Sequence, residues 1–335
     1  MEHKRERSRS TSPKNKSGKH HNAKAPSIQE EGEIICHPQG QTITTPIPQK
    51  KDIITRAGGV YIPPHRLRQQ QEEASKTDSK STQFQRFMWE ALRKSINGII
   101  NKVNVANIQN IILELFNENL IRGKGMLVKA VMRNQMASPN FTHVYAALMS
   151  VVNTKLPEHG KLLVHRVLHQ FKTSYKRNNK LVCIATTKML AHFVNQQIVH
   201  EILALELLAL LLETPTEDSV EIASDFMIEC GQVLSEISPA GVNAIFERFR
   251  GILHEGSIEK RVQYVIENLF AIRKNKFADH PGVIQELDLV EEDDKITHEI
   301  TLDAELELQD SLNYFQLDQK YEENETEWDL SLIHI

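Results

Sequence analysis

Two histidines stand four residues apart in the run His165-Arg-Val-Leu-His169. That spacing sets both imidazoles on one helical face, as a helical zinc site requires. The glutamate that a metalloprotease places beside the first histidine is Arg166 here, so no metal is expected. Gly123-Lys-Gly125 joins small residues to an ammonium, but it has neither the length nor the Lys-Ser/Thr ending of a phosphate-binding loop. It reads as a hairpin turn. Glu291-Glu-Asp-Asp294 gathers negative charge, yet it lacks the alternating ligands and the glycine of a calcium loop and reads as solvated charge. The sequence has no Gly-x-Ser-x-Gly elbow and no cysteine-centred signature. Cys36, Cys183 and Cys230 are widely spaced, which excludes a paired Cys-x-x-Cys zinc ribbon or a disulfide framework and fits a reducing compartment. No catalytic constellation and no cofactor are therefore expected.

The remaining candidates are groups that bind. Lys172, Lys176, Arg177 and Lys180 surround one expected inter-helix turn, and Arg248, Arg250, Lys260 and Arg261 surround another. Either group suits RNA phosphates, although without interleaved aromatics such contact would be sequence-tolerant; a charged edge with no ligand is the alternative. A third candidate lies in Lys94-Ser-Ile-Asn-Gly-Ile-Ile-Asn-Lys-Val-Asn-Val-Ala-Asn-Ile108, where Asn101-Lys-Val-Asn104 supplies turn and cap chemistry. A turn of amides and one lysine beside rigid helices suits a protein-docking edge; the plainer reading is a well-capped turn.

The elements that hold these groups are helical. Phe84, Phe87, Met88, Ala91 and Leu92 recur at helical spacing before the third candidate, and Ile108, Ile111, Ile112, Leu115 and Phe116 recur after it. Pro139, Pro157, Pro215 and Pro239 separate later apolar runs and mark helix starts. Ser138 and Ser238 stand where N-caps belong, and Thr214-Pro-Thr-Glu217 reads as a capping box. About ten helices are expected: 82–101, 105–118, 123–137, 139–154, 158–176, 179–195, 196–213, 216–234, 239–254 and 257–274. They pair into five hairpins spaced by about forty residues, the period of HEAT-type repeats. Period-two alternation and Asn-Gly hairpins between strands are read as absent, Asn97-Gly98 sitting within helical periodicity, so the fold class is all-α, an α-solenoid whose hairpins bury each other's apolar faces. The run 196–213 is apolar nearly all round and should form a central wall.

The ends differ from this middle. Residues 1–24 hold eight Lys or Arg against two Glu and include Ser/Arg repeats, whereas Gln285 to Ile335 holds seventeen Asp or Glu against two Lys. The formal net charge of -4 conceals both. The expected domains are a disordered basic tail over 1–57, an extended strap and linker over 58–81, the repeat domain over 82–280, and an acidic, partly ordered extension over 281–335. The N-terminus has no apolar signal region, and the most hydrophobic run, Ile202 to Leu212, is half a membrane span and contains Glu206, so no membrane partner is expected. The basic tail fits nuclear import.

Gly58-Gly-Val-Tyr-Ile-Pro-Pro64 followed by Trp89-Glu-Ala-Leu-Arg-Lys-Ser-Ile-Asn-Gly-Ile-Ile-Asn-Lys-Val-Asn104 resembles the nucampholin-type pre-mRNA splicing factors. Ser138-Pro-x-Phe-Thr-His-Val-Tyr-Ala-Ala-Leu148, Ile245-Phe-Glu-Arg-Phe-Arg250 and Leu287-Asp-Leu-Val-Glu-Glu-Asp-Asp294 extend the resemblance to about Asn313. The family's first folded module is similar to the middle domain of translation initiation factor 4G. The resemblance implies an adaptor that holds the DEAD-box RNA helicase of the exon junction complex in an open, inhibited state and escorts it to the spliceosome in the nucleus and its speckles; a translation-initiation-type adaptor holding a cytoplasmic helicase is the alternative within the class. It further implies helicase contacts at Gly98, Asn101 and Lys102, to which Asn104 is added by proximity. The ending from Glu327 departs from the family pattern, and the family's second helical domain is not in this chain.

Overall fold

The computed structural model describes residues 81–331. The expectations for residues 1–80, and for the last four residues, lie outside that range. Ten helices form the body: α1 (Thr82–Lys102), α2 (Ile108–Phe116), α3 (Leu120–Ala137), α4 (Thr142–Lys155), α5 (Pro157–Lys176), α6 (Lys180–Asn195), α7 (Glu201–Glu213), α8 (Glu217–Ile237), α9 (Pro239–Glu255) and α10 (Lys260–Lys274). An eleventh, α11 (Tyr321–Ser331), follows an irregular segment. No helix among the described residues is long and apolar enough to cross a membrane.

The helices pair in order into five hairpins. The even-numbered members stack as one continuous layer, α2 on α4, α6, α8 and α10, while α1, α3 and α5, and then α7 and α9, form the other. One apolar core runs through the whole stack, as expected where each hairpin exposes a face that only its neighbour can cover. The all-α solenoid is thus the observed fold.

Several local expectations are corrected. Gly123 and Gly125 do not turn the chain; they lie inside α3, which begins at Leu120 under an Asn119 side-chain cap. They are small because neighbours press on them: a Cβ at Gly123 would sit 2.7 Å from the Ile96 side chain, and one at Gly125 would sit 2.5 Å from the Leu312 carbonyl. Helix α7 starts at Glu201 rather than 196, because residues 196–200 form a turn with Gln197 at φ 56° and His200 as the cap. The capping box before α8 uses Thr216 and Ser219 rather than Thr214 and Glu217. Ser138 and Ser238 occupy their expected places before Pro139 and Pro239, but neither side chain makes a cap hydrogen bond.

The largest departure is the acidic extension, which returns along the entire stack as a strap. It leaves α10 through Lys276 and Phe277, both at φ 55°, with the Phe277 ring buried against Gly231. Gln232 accepts a hydrogen bond from the Gly282 amide, Gln196 donates to the Leu287 carbonyl, and Asn153 donates to the Ile296 carbonyl. Farther along, the Leu302 amide donates to Glu206 and the Glu307 amide to His165 Nδ1. Asp318 then pairs both ways with the Gln85 side chain, at 2.8 and 2.9 Å. Ile300, Leu302, Ala304, Leu306 and Leu308 turn inward while Glu299, Thr301, Asp303, Glu305 and Glu307 face water. This is a period-two alternation that the sequence reading passed over. Among the described residues it joins no β-sheet; a single bridge, Val199 to His298, marks its extended geometry.

Candidate partner-docking site

The turn between α1 and α2 is built on helices that cannot shift. Ile96, Ile99 and Ile100 are buried on one face of α1, and Ile108, Ile111 and Leu115 on α2. Between them Asn104 and Asn107 exchange hydrogen bonds, each side-chain oxygen accepting from the other's backbone amide, at 2.8 and 3.0 Å. Asn107 Nδ2 also donates to the Lys102 carbonyl at 2.9 Å. This reciprocal box satisfies the turn's own amides at Asn104 and Asn107, although the Asn107 side chain caps none of the first amides of the helix itself. Asn104 is therefore the residue that shapes the turn as well as a candidate contact, and Asn107, which the sequence reading left unassigned, shares that task.

Asn101 and Lys102 are exposed at the end of α1. The Asn101 side chain makes no hydrogen bond among the described residues, and Lys102 makes one loose ion pair with Glu114 at 3.5 Å between exposed groups, a contact that water largely screens. Gly98 lies one turn earlier, and a Cβ built there meets nothing within 4 Å. Gly98, half-buried, and the exposed Asn101 and Lys102 thus share one face of α1, where the Asn101 side chain is uncommitted and Lys102 is only loosely held, beside Asn97, whose side-chain oxygen accepts from Arg133 of α3.

The basic groups fare differently. Lys180 is held by Asp218 and Glu221, each at 2.8 Å, and Arg261 reaches the same Glu221 at 2.8 Å. Hydrogen bonds from Arg261 and Lys180 hold the Glu221 carboxyl down at about 2. Arg248 donates to the Leu212 carbonyl at 2.9 Å and so caps the end of α7, and Arg250 pairs with Glu247. Lys176 and Arg177 remain exposed and outside any ion pair among the described residues, with Lys172 half-buried beside them. The first basic edge is smaller than its sequence suggests.

His165 Nδ1 accepts from the strap, and no group of three or more His, Cys, Asp or Glu among the described residues could hold a metal ion. Cys183 and Cys230 are buried thiols whose ionisation is pushed up by burial.

These features define a class, a helical-repeat solenoid whose candidate site is a polar hairpin edge. The chain belongs to the MIF4G-domain family, whose model matches residues 93–276. It is 52% identical over 284 residues to the pre-mRNA-splicing factor CWC22 homologs of Mus musculus and Homo sapiens, and 54% identical over 278 residues to that of Drosophila melanogaster. These alignments cover 84%, 84% and 83% of this chain but only 31%, 31% and 21% of those proteins. The chain therefore spans less than a third of the length of these curated relatives.

Proposed function

We propose that this chain is a non-enzymatic adaptor module of pre-mRNA splicing in the nucleus, which binds the DEAD-box helicase of the exon junction complex through the α1–α2 edge and brings it to spliceosome components. The observation that carries this reading is the face Gly98, Asn101 and Lys102, with the Asn101 side chain uncommitted and Lys102 only loosely paired, set on helices buried into the core. Similarity to splicing factors and the resemblance of the motif around Gly98 support the choice of partner. A DEAD-box ATPase works by closing two domains over ATP and RNA. A rigid adaptor that prefers the unclosed arrangement inhibits turnover by its difference in affinity for the two states.

The test is a calorimetric titration of the full chain with the purified helicase, repeated with the double variant Asn101→Asp, Lys102→Glu. A lost donor with added repulsion at a buried polar contact costs about 2 to 5 kcal/mol, so binding should weaken by about thirtyfold if one contact is lost and by about a thousandfold or more if both are, while the melting temperature stays put. Unchanged affinity would place the docking surface elsewhere. The RNA reading is favoured only by the exposed, unpaired Lys176 and Arg177; salt-dependent RNA binding lost in Lys176→Glu, Arg177→Glu would support it.

A further inference from the structure

A cleft of about 400 Å³ opens between α3, α5 and the strap. Met132 and Met136 of α3 and Leu308 of the strap supply its apolar lining, Lys129 and Arg133 supply cationic groups, and His169 supplies an imidazole. Lys129 and His169 are exposed, with no hydrogen bond or ion pair among the described residues, and Arg133 uses part of its guanidinium on Asn97. Asp310 is the single carboxylate in the lining, and no Phe, Tyr or Trp lines the cleft. A nucleic-acid base would find the His169 imidazole and guanidinium planes but none of the large rings of a stacking platform, and the apolar floor of Met132, Met136 and Leu308 suits a peptide side chain better.

The same side of the molecule already displays the ligand chemistry that suits it. Up to Leu308, at the edge of the cleft, the strap lies extended, with alternate apolar side chains inward and acidic ones outward, before Gln309 at φ 46° turns it into the short helix Asp310–Asn313. Its backbone is gripped by solenoid side chains. Arg166 donates to the Leu308 and Gln309 carbonyls at 2.9 and 3.0 Å and to Asn313 Oδ1 at 3.0 Å. In the cleft Lys129 and part of the Arg133 guanidinium are left over for the same kind of contact. Methionines adapt their shape to varied apolar side chains, as a floor for a peptide must.

We propose that this cleft binds an extended acidic peptide segment of a partner protein, an apolar side chain resting on Met132 and Met136 and carboxylates meeting Lys129, Arg133 and His169. The site is separate from the helicase edge and does not depend on that reading.

The experiment is fluorescence anisotropy of the full chain with a labelled peptide of alternating glutamate and leucine, with a lysine–leucine peptide and a poly-uridine oligonucleotide run alongside. Two variants carry the test. Lys129→Glu, His169→Glu alters exposed groups without partners, so folding should hold, and it should weaken the acidic peptide by about tenfold or more. Lys176→Glu, Arg177→Glu makes a like replacement at the end of α5 and should leave binding unchanged. Three results would overturn the proposal: no binding of the acidic peptide by the wild-type chain at millimolar concentration, equal weakening in both variants, or preference for poly-uridine with the same dependence on Lys129 and His169.

Discussion

Gly98 and Gly125 are both helical glycines, yet their surroundings give opposite expectations for the same substitution. At Gly98 nothing lies within 4 Å of a new Cβ, so Gly98→Ala removes the entropic cost of a glycine in a helix and should stabilise the fold by about 0.5 to 1 kcal/mol. Gly98→Tyr should fold equally well but stand in the way of any partner lying over α1. Thermal melts beside the helicase titration check both; a Gly98→Tyr chain that melts early would make the residue structural. At Gly125 the new atom would meet the Leu312 backbone, and backbone cannot swing aside as a flexible side chain does. Gly125→Ala should therefore loosen residues 308–313, which faster amide exchange there would report while α3 stays protected. The sequence carried the chemistry of Gly98, Asn101 and Lys102 through their motif. It could not reveal why Gly123 and Gly125 are small, because Ile96 and Leu312 reach them only through tertiary packing.

At the scale of elements, the helices were legible because apolar periodicity, prolines and length agree with one another, and the misplaced ends are those decided by tertiary contacts, such as the start of α7 beside the strap. The strap itself was missed although its signal was present. Ile300-x-Leu-x-Ala-x-Leu-x-Leu308 alternates as a strand does, but an alternating run is ordinarily matched to a partner strand, and here its apolar side meets helices instead. Arg166, read in the sequence only as a missing glutamate, is the principal anchor. Arg166→Met keeps much of the stem that fills the site but leaves the Leu308 and Gln309 carbonyls without their charged donor. Hydrogen bonds to charged groups contribute about 1.5 to 3 kcal/mol each. The expected result is a loss of a few kcal/mol, with exchange protection lost first over residues 305–313 and the even-numbered helix layer unaffected. Uniform loss across all helices would show that strap and solenoid unfold as one unit.

For the whole molecule, stability should fall on mild acidification, and the histidines decide the window. His159 is buried, with Nε2 donating to the Leu120 carbonyl at 2.8 Å, and burial pulls its ionisation down to about 4 from an ordinary 6.5. Burial also lowers His143, His165 and His298. A group depressed in the folded state is neutral there while the unfolded chain takes up protons, so its contribution is complete above the ordinary value and fades as pH falls toward the folded one. His159 alone should cost about 1 to 2 kcal/mol between about pH 7.5 and about pH 5.5. Burial opposes the charge of Glu229, but hydrogen bonds from His192 and Lys188 outweigh it and hold the carboxyl at about 2, as Arg261 and Lys180 do for Glu221. Those carboxylates keep their contributions until the pH drops below about 4.5, so they cannot account for losses in the milder range. His159→Gln separates the causes, since the amide can still donate to Leu120 without titrating. Denaturant unfolding at several pH values should show the variant's stability curve flattened between about pH 7.5 and about pH 5.5, and a variant that loses as much as the wild-type chain would assign the acid sensitivity to His143, His165 and His298.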